Sequence, residues 1–333
     1  MNKLTIPARN VKKNVLPGFS LSAGILCAII STATTEGTEQ MVIIEYDSTV
    51  NPAFWLNRLS QCDWTAGQYL YQLLKEGRFH GMCGRKARVL MLTDGTKLVS
   101  FCTYAERDDI PDTDLTPWMG FAYTAPEYRG RRLLGRLIAE TKALVREDGY
   151  DTLWISTGET GLYEKYGAAY DRMLKDTRGN DNRIYRMDTY GFFGWKGADM
   201  PARIADYPGI GTPRDLYNAL WHLWRRETCA ARMQKDWTEE NRTLGQCTIT
   251  AFLAQDIFGG RVYGVPLGDG NYHCFNVVGE TMFDLTSEQF GDKKLQYDLR
   301  WEQMRHDHFL KEEKRARYEA LRTLLKEYTG TVR

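Results

Sequence analysis

The stretch APEYRGRRLLGRLIAE, residues 125–140, decides how the first half of this chain is interpreted. An arginine-rich turn with Gly130 runs directly into apolar residues at helical spacing. Successive main-chain N–H groups of such a turn point into one concavity, and the dipole of the following helix adds positive charge there. The stretch therefore predicts an anion site, around which Arg129, Arg131 and Arg132 supply mobile positive charge. The alternative interpretation is a solvated basic helix start.

The segments on either side of this turn alternate between strand and helix periods, which predicts an α/β fold with a sheet packed against helices. A strand is expected before the turn at 118–124, a helix after it at 131–147, and a further buried strand at 152–156. The sequence GLYEKYGAAY then predicts a short helix at 162–166 that ends at Gly167. The other elements predicted in this half are helices at 51–62 and 66–76 and strands at 88–92, 97–105, 169–174 and 183–187.

This succession resembles the GNAT superfamily of N-acetyltransferases over roughly residues 41–188, and the resemblance is most specific at 125–137 and 162–167. It implies a mixed sheet with flanking helices, an α/β (α+β) architecture, and acetyl-CoA as the acyl donor. It further implies that an amine attacks the acetyl group directly within a ternary complex of enzyme, acetyl-CoA and amine.

The resemblance also assigns the ligand-binding positions. The diphosphate of acetyl-CoA would lie on the main-chain amides of the turn, and its pantetheine arm along the strand before the turn. The family's turn has small residues at two positions where this chain has Arg132 and Leu134, a departure that affects how closely the backbone approaches the ligand. The implied coenzyme-binding residues are Phe121, Ala122, Tyr123, Arg129, Gly130, Arg131, Arg132, Leu133, Leu134 and Gly135.

Acetyl transfer needs a side chain that gives a proton to the leaving thiolate and a side chain that takes a proton from the amine. Tyr163 matches the position of the family's tyrosine, which would protonate the thiolate of coenzyme A as it leaves. Tyr166 is the neighbouring alternative, and either ring could instead only close the core. Glu106 is the candidate general base, with Asp108 and Asp109 beside it, in a region that faces the acceptor amine in relatives. A solvated acidic loop is the alternative interpretation of these carboxylates.

The second half carries a different set of reactive side chains. Cys247 precedes a predicted helix at 248–258, where the helix dipole and free N–H groups stabilise a thiolate. His273 lies near the start of one predicted strand and Asp284 near the end of the next. Adjacent antiparallel strands can bring these two side chains together, as in a Cys-His-Asp triad of nucleophile, base and orienting carboxylate. The predicted elements of this half are helices at 213–228, 248–258 and 301–328 and strands at 261–265, 272–278 and 281–285.

The order of helix, strand and strand resembles papain-like and transglutaminase-like domains, and more closely the YunG-like group of bacterial proteins, over roughly residues 212–290. The resemblance implies a smaller α+β domain in which Cys247 is the nucleophile, His273 the base and Asp284 the residue that orients it. Gln246 or the N–H of Cys247 would supply an oxyanion donor. Each piece has a structural alternative: an inert buried thiol, a hydrogen-bonded strand histidine and a carboxylate that caps the next turn with Thr286.

A chain of 333 residues is long enough for two domains. We expect a GNAT-like domain at 41–190, a Gly- and Pro-rich linker at 191–211 and a papain-like domain at 212–333 that ends in a charged helix. The predicted protein is thus an N-acetyltransferase fused to a thiol-triad domain. Two alternatives remain: a cysteine hydrolase or transglutaminase with a non-catalytic GNAT domain, or a module that senses coenzyme A or binds peptides.

Net charge and the spacing of cysteine and histidine indicate which classes of ligand and partner to expect. A formal net charge of +1 provides no broad positive field for nucleic acid. The seven cysteines lack CxxC spacing and the five histidines form no metal-binding motif, so neither a disulfide framework nor a metal is expected. We therefore expect a cytoplasmic bacterial protein whose partner is a small-molecule or peptide amine, without nucleic acid or membrane. A homodimer is left open.

Residues 1–40 are expected to be a non-native or signal-like extension. Lys12 and Lys13 precede an apolar stretch at 19–33 that resembles a signal peptide and is short for a membrane span. The favoured interpretation is that translation begins at Met41, because Glu36 and the following glycine would be encoded by a purine-rich, ribosome-binding pattern. An ordered segment is the third alternative.

Overall fold

A seven-stranded mixed sheet forms the N-terminal half of this computed structural model, which describes residues 41–268 and 270–331. Its strand order is β1-β2-β3-β4-β5-β7-β6, and only β4 and β5 run parallel. The mixed sheet with flanking helices confirms the predicted fold class. The interpretations made for residues 1–40 lie outside the described residues. The strands are β1 (Val42–Glu45), β2 (Arg88–Asp94), β3 (Lys97–Ala105), β4 (Trp118–Thr124), β5 (Thr152–Thr157), β6 (Ala169–Lys175) and β7 (Asp181–Asp188).

Helices cover both faces of this sheet, which is why the central strands are apolar at consecutive positions rather than at alternate ones. On one face, Leu90 and Leu92 of β2 pack in a core with the long helix α4. On the other face, Val89 and Met91 pack with the helices that precede β2. The helices of this half are α1 (Pro52–Leu59), α2 (Thr65–Lys75), α3 (Phe79–Cys83) and α4 (Leu133–Glu147).

The strands β4 and β5 separate partway along their length. They pair only at Trp118 and Met119, opposite Trp154 and Ile155. On its other side β4 pairs with β3, and there a bulge interrupts the register. Phe121 lies in this bulge with a positive φ of 47°, which re-aims the rest of β4. The sheet is therefore split beyond Met119, directly before the arginine-rich turn.

The C-terminal half is built on a three-stranded antiparallel sheet with the order β10-β9-β8. Its core is formed by α6 together with α5 and α8. The segment 191–211, predicted as a linker, contributes Phe192 and Tyr207 to this same core. The elements are α5 (Pro213–Leu223), α6 (Cys247–Phe258), β8 (Arg261–Pro266), β9 (Tyr272–Val278), β10 (Thr281–Phe283), α7 (Arg305–Phe309) and α8 (Glu312–Thr331).

Several predicted helix bounds differ from the structure; the helix expected over 213–228, for example, ends at Leu223. The helix expected from 131 begins at Leu133, because Arg132 has a positive φ of 56° and closes the turn before it. The helix expected over 301–328 is two helices, and the break lets Arg305 of α7 donate a hydrogen bond to the carbonyl of Phe252 on α6. Within the described residues, none of the helices combines the length and apolar character needed to cross a lipid bilayer.

Candidate active sites

The arginine-rich turn adopts a backbone that glycine favours. Gly130 has a φ of 79°, and the space around its α-carbon is open. Arg132 adopts the left-handed region without being glycine, which strains the backbone where α4 begins. Arg129 folds back, donating from Nε to the carbonyl of Thr124 at 3.0 Å. Arg131 lies over the ring of Tyr128, 5.2 Å from its centroid, so these two side chains are held by neighbours of the turn.

A cavity of about 710 Å³ opens beside this turn and is called here the Tyr163 cavity. It extends along the split between β4 and β5 to the start of α4. Two of the predicted coenzyme-binding residues, Arg131 and Gly135, are not among those that line it. A side chain on Gly135 would meet the ring of Tyr166 at 3.0 Å, so this glycine lets the tyrosine lie against the first turn of α4. The predicted residues that do line it are Phe121, Ala122, Tyr123, Arg129, Gly130, Arg132, Leu133 and Leu134.

The edge of β4 gives the Tyr163 cavity a strand-like wall. Beyond Met119 the main chain of β4 has no ladder with β5. Strand edges of this kind accept extended, amide-bearing ligands as an additional strand. The wall at 120–124 is therefore suited to an arm that carries amide groups.

Tyr163 itself is 6% exposed and lies in a short turn of 3₁₀-helix, Tyr163–Tyr166, that ends at Gly167 as predicted. Burial raises the pKa of its phenol, and the nearby Cys102 and Glu159 raise the pKa further. The phenol therefore stays protonated near neutral pH and can donate a proton to a group in the cavity. Tyr166 lines the same cavity.

A second cavity of about 680 Å³, called here the Asp108 cavity, adjoins the first one. The two share Trp64 as well as Gly120, Phe121 and Ser156, the last three of which lie at the split in the sheet. Burial raises the pKa of the Asp108 carboxyl to about 7, against a hydrogen bond from the N–H of Asp109 that lowers it. Such a carboxyl can exchange a proton near neutral pH.

The predicted general base Glu106 is placed differently. Its carboxylate accepts a hydrogen bond from the N–H of Lys86 at 2.9 Å, and its side chain packs close to Gly84. Glu106 is not among the residues that line either cavity, whereas Asp108 and Asp109 both line the second one. The sequence alone does not distinguish Glu106, Asp108 and Asp109 as candidate bases, because all three are acids close together in the chain. The path of the chain after β3 determines which of their carboxylates face the cavity.

The three residues predicted as a thiol triad, Cys247, His273 and Asp284, lie together in the structure. Cys247 is the first residue of α6, His273 the second residue of β9, and Asp284 directly follows β10. His273 Nε2 lies 2.6 Å from Asp284 Oδ2, and both side chains are buried. Cys247 remains partly exposed. Both Cys247 and His273 line a cavity of about 570 Å³, called here the Cys247 cavity.

Cys247 and His273 each shift the pKa of the other toward its charged form, and Asp284 acts on His273 in the same direction. A hydrogen bond from Cys274 lowers the pKa of Cys247 well below its usual value, and the charge of His273 lowers it further, against the effect of burial. Burial opposes a charge on His273, but Asp284 and Cys247 outweigh it and raise the pKa of the imidazole to about 10. The arrangement therefore favours a thiolate and an imidazolium side by side, the active form of a cysteine nucleophile.

Residues that the sequence did not identify hold Asp284 in place. Tyr297 donates its hydroxyl to Asp284 Oδ2 at 2.8 Å, and Thr286 donates both its N–H and its hydroxyl to Oδ1. The main chain is fixed as well, because the N–H of Asp284 donates to the carbonyl of Phe193 at 3.0 Å. The capping role considered for Asp284 and Thr286 thus coexists with the contact to His273.

The side chain of Gln246, predicted as a possible oxyanion donor, makes its hydrogen bond elsewhere. Its side chain is buried, and its amide Nε2 donates to the carbonyl of Arg225 at 3.0 Å. The Oε1 atom has no partner among the described residues. The Gln246 amide is therefore committed to the protein itself. Over the described parts of the chain, no group of three or more His, Cys, Asp or Glu side chains is arranged to hold a metal ion.

Comparison with known proteins gives a sequence match for the C-terminal half. The family described as YunG protein matches residues 212–330. The Bacillus subtilis protein YunG is 35% identical over 65 residues, which are 20% of this chain and 56% of that protein. The alignment thus spans little more than half the length of this curated relative.

Solved structures similar to the N-terminal half of this chain include acetyltransferases. One from Streptococcus agalactiae is 20% identical, covering 44% of this chain and 98% of its own, with a TM-score of 0.34. The GNAT-family N-acetyltransferase YhbS from Escherichia coli, in complex with CoA, is 17% identical, covering 47% and 86%, with a TM-score of 0.36. A GNAT-family acetyltransferase from Elizabethkingia anophelis with acetyl-CoA bound is 15% identical, covering 44% and 97%, with a TM-score of 0.32.

Proposed function

We propose that the N-terminal half is an acetyl-CoA-dependent N-acetyltransferase that acts by direct attack of an amine. One observation carries the proposal: two cavities meet at the split between β4 and β5, with a protonated phenol in one and a carboxyl of pKa about 7 in the other. A reaction between a thioester and an amine needs one group that gives a proton and one that takes a proton.

In this proposal acetyl-CoA occupies the Tyr163 cavity. Its diphosphate lies at the turn around Gly130, where main-chain N–H groups and the start of α4 favour an anion. Its amide-bearing arm follows the unpaired edge of β4 at 120–124. The acetyl group then lies near Gly120, where the two cavities meet.

The acceptor amine enters the Asp108 cavity, whose walls include the aromatic rings of Trp64 and Tyr69. Asp108 takes a proton from the ammonium, and the free amine attacks the acetyl carbon. A carbon–nitrogen bond forms and the carbon–sulfur bond breaks. The departing thiolate takes the proton of Tyr163, and the phenolate recovers a proton, through solvent, from the nitrogen of the new amide. Asp108 releases its proton to solvent, and the amide product and coenzyme A leave.

Replacing Gly130 with tryptophan should weaken acetyl-CoA binding by at least about tenfold, since the ring would fill the anion site at the turn. Isothermal titration calorimetry with acetyl-CoA measures the effect. Gly77→Trp is the matched control, because Gly77 also has a positive φ and open space around it but does not line the Tyr163 cavity. Equal affinity in the wild type and Gly130→Trp would remove the coenzyme from the turn.

Asp108→Asn should lower the rate of amine acetylation at pH 7 by about a hundredfold, because the amide cannot take the proton of the ammonium. In the wild type kcat/KM should rise with pH through about 7 as the Asp108 carboxyl ionises, and the variant should lack this rise. A panel of amines with coenzyme A release as the readout provides the rates. Glu106→Gln is the matched control, and an equal loss in that variant would contradict the role of Asp108.

A second function is favoured by the contact of 2.6 Å between His273 and Asp284 beside a thiol of lowered pKa. In this proposal the C-terminal half transfers or hydrolyses acyl groups at Cys247. The sulfur attacks a carbonyl carbon, His273 protonates the departing amine, and the thioester passes to water or to another amine. Selective alkylation of Cys247 by iodoacetamide at pH 6 tests this proposal.

A further inference from the structure

The Cys247 cavity is lined by more cationic than anionic side chains. Among its described lining residues, the carboxylates are Asp307 and Glu313, and the cations are Arg232, Lys311, Lys314 and Arg317. Glu313 neutralises Arg317, because its Oε1 lies 2.5 Å from Arg317 Nε. An excess of positive charge therefore remains in a cavity that contains the nucleophile.

Lys314 is the cation that the fold holds in place. Its Nζ lies 3.0 Å from Nδ1 of His308, and Nε2 of the same ring lies 3.0 Å from Oε1 of Gln303. Burial lowers the pKa of His308 to about 4, and the charge of Lys314 lowers it too. His308 is therefore neutral and accepts from the ammonium at Nδ1, so the partner of Lys314 fixes its position without neutralising it.

Two further cations, Arg232 and Lys311, are exposed at the same cavity. Within 41–268 and 270–331, no carboxylate forms an ion pair with either of them or with Lys314. A half-buried ammonium without a carboxylate partner among the described residues loses hydration, and burial accordingly lowers the pKa of Lys314, against the charges of Cys274 and Cys247, which raise it. An anionic group in the cavity would compensate this loss.

We propose that the carbonyl compound attacked by Cys247 carries an anionic group, a carboxylate or a phosphate, that binds to Lys314 with Arg232 and Lys311 beside it. The inference rests on the thiol chemistry proposed above. The bound anion orients the carbonyl over the sulfur of Cys247 and is unchanged in the reaction. Neutral carbonyl compounds of the same size lack this contact and react more slowly.

The ratio of two alkylation rates tests the proposal. Iodoacetate is anionic and iodoacetamide neutral, and both lose iodide to the thiolate, so their ratio at Cys247 cancels any change in thiolate fraction. We expect Lys314→Met to lower the ratio of iodoacetate to iodoacetamide by about tenfold at low salt, from the loss of one nearby charge. Lys314→Arg should retain the ratio. Lys326→Met, on α8 but outside the Cys247 cavity, is the matched control.

Protection of Cys247 by added anions shows whether Lys314 binds a carboxylate or a phosphate. N-acetylglutamate or inorganic phosphate should slow the reaction of Cys247 with iodoacetamide, and Lys314→Met should abolish that protection. A ratio that is unchanged in Lys314→Met, or protection that survives in it, overturns the proposal while the thiol chemistry stands. Failure of Cys247 to react with either reagent instead overturns the thiol chemistry itself.

Discussion

Iodoacetamide at pH 6 should alkylate Cys247 at least about a hundredfold faster than Cys62, because an ordinary thiol is less than about 1% ionised at that pH. Cys62 is partly exposed as well, so access does not explain a difference. Burial raises the pKa of Cys62, whereas contacts with Cys274 and His273 lower the pKa of Cys247. Pulse labelling with peptide mass spectrometry measures both rates. Equal rates would mark Cys247 as an inert thiol.

The pH dependence of this labelling follows from the two pKa shifts. The thiolate of Cys247 should form well below pH 9, and its reactivity should change again only near pH 10, where His273 loses its proton. Stability follows the same groups. The raised pKa of His273 stabilises the fold fully below about 6.5, and this contribution is lost as pH rises through about 10. The lowered pKa of Cys247 stabilises the fold above about 9, and this contribution is lost as pH falls.

Asp284→Asn serves as the second arm of this experiment. Without the carboxylate the pKa of His273 falls and the imidazolium is lost, which leaves the hydrogen bond from Cys274 to stabilise the thiolate. Labelling at pH 6 should therefore fall by at least about tenfold. The asparagine keeps the shape that Tyr297 and Thr286 contact. Asp298→Asn is the control, since that carboxylate pairs with Arg300 at the surface. Undiminished labelling in Asp284→Asn would exclude an electrostatic role for Asp284.

Tyr163→Phe should slow acetyl transfer by about a thousandfold while leaving acetyl-CoA affinity unchanged, because it removes only the proton given to the departing thiolate. The ring remains in its buried place, so the fold is retained. Single-turnover release of coenzyme A over a panel of amines, with calorimetry for binding, separates the two effects. Tyr166→Phe is the matched control, because Tyr166 lies in the same short turn and lines the same cavity.

Two results would contradict the role given to Tyr163. An unchanged rate in Tyr163→Phe would mean that solvent or another group protonates the thiolate. An equal loss in Tyr166→Phe would transfer the role to the neighbouring tyrosine, the alternative that the sequence left open.

The sequence by itself determined those features that depend on a few consecutive residues. The turn at Gly130, the short helix ending at Gly167 and the helix predicted directly after Cys247 all appear in the structure, where that helix includes Cys247 as its first residue. Each is set by local rules: which residues tolerate positive φ, which residues follow one another at helical spacing, and where a helix can begin. These rules operate within one or two turns of the chain.

The tertiary structure alone decided which distant side chains meet. It separates Asp108, which faces a cavity, from Glu106, which accepts from the N–H of Lys86, although only Arg107 stands between them in the sequence. It brings Tyr297 and Phe193 to Asp284, contacts that no spacing in the sequence indicates. The physical reason is that these contacts form only when whole elements pack, and burial and pairing then set the pKa values on which the chemistry depends.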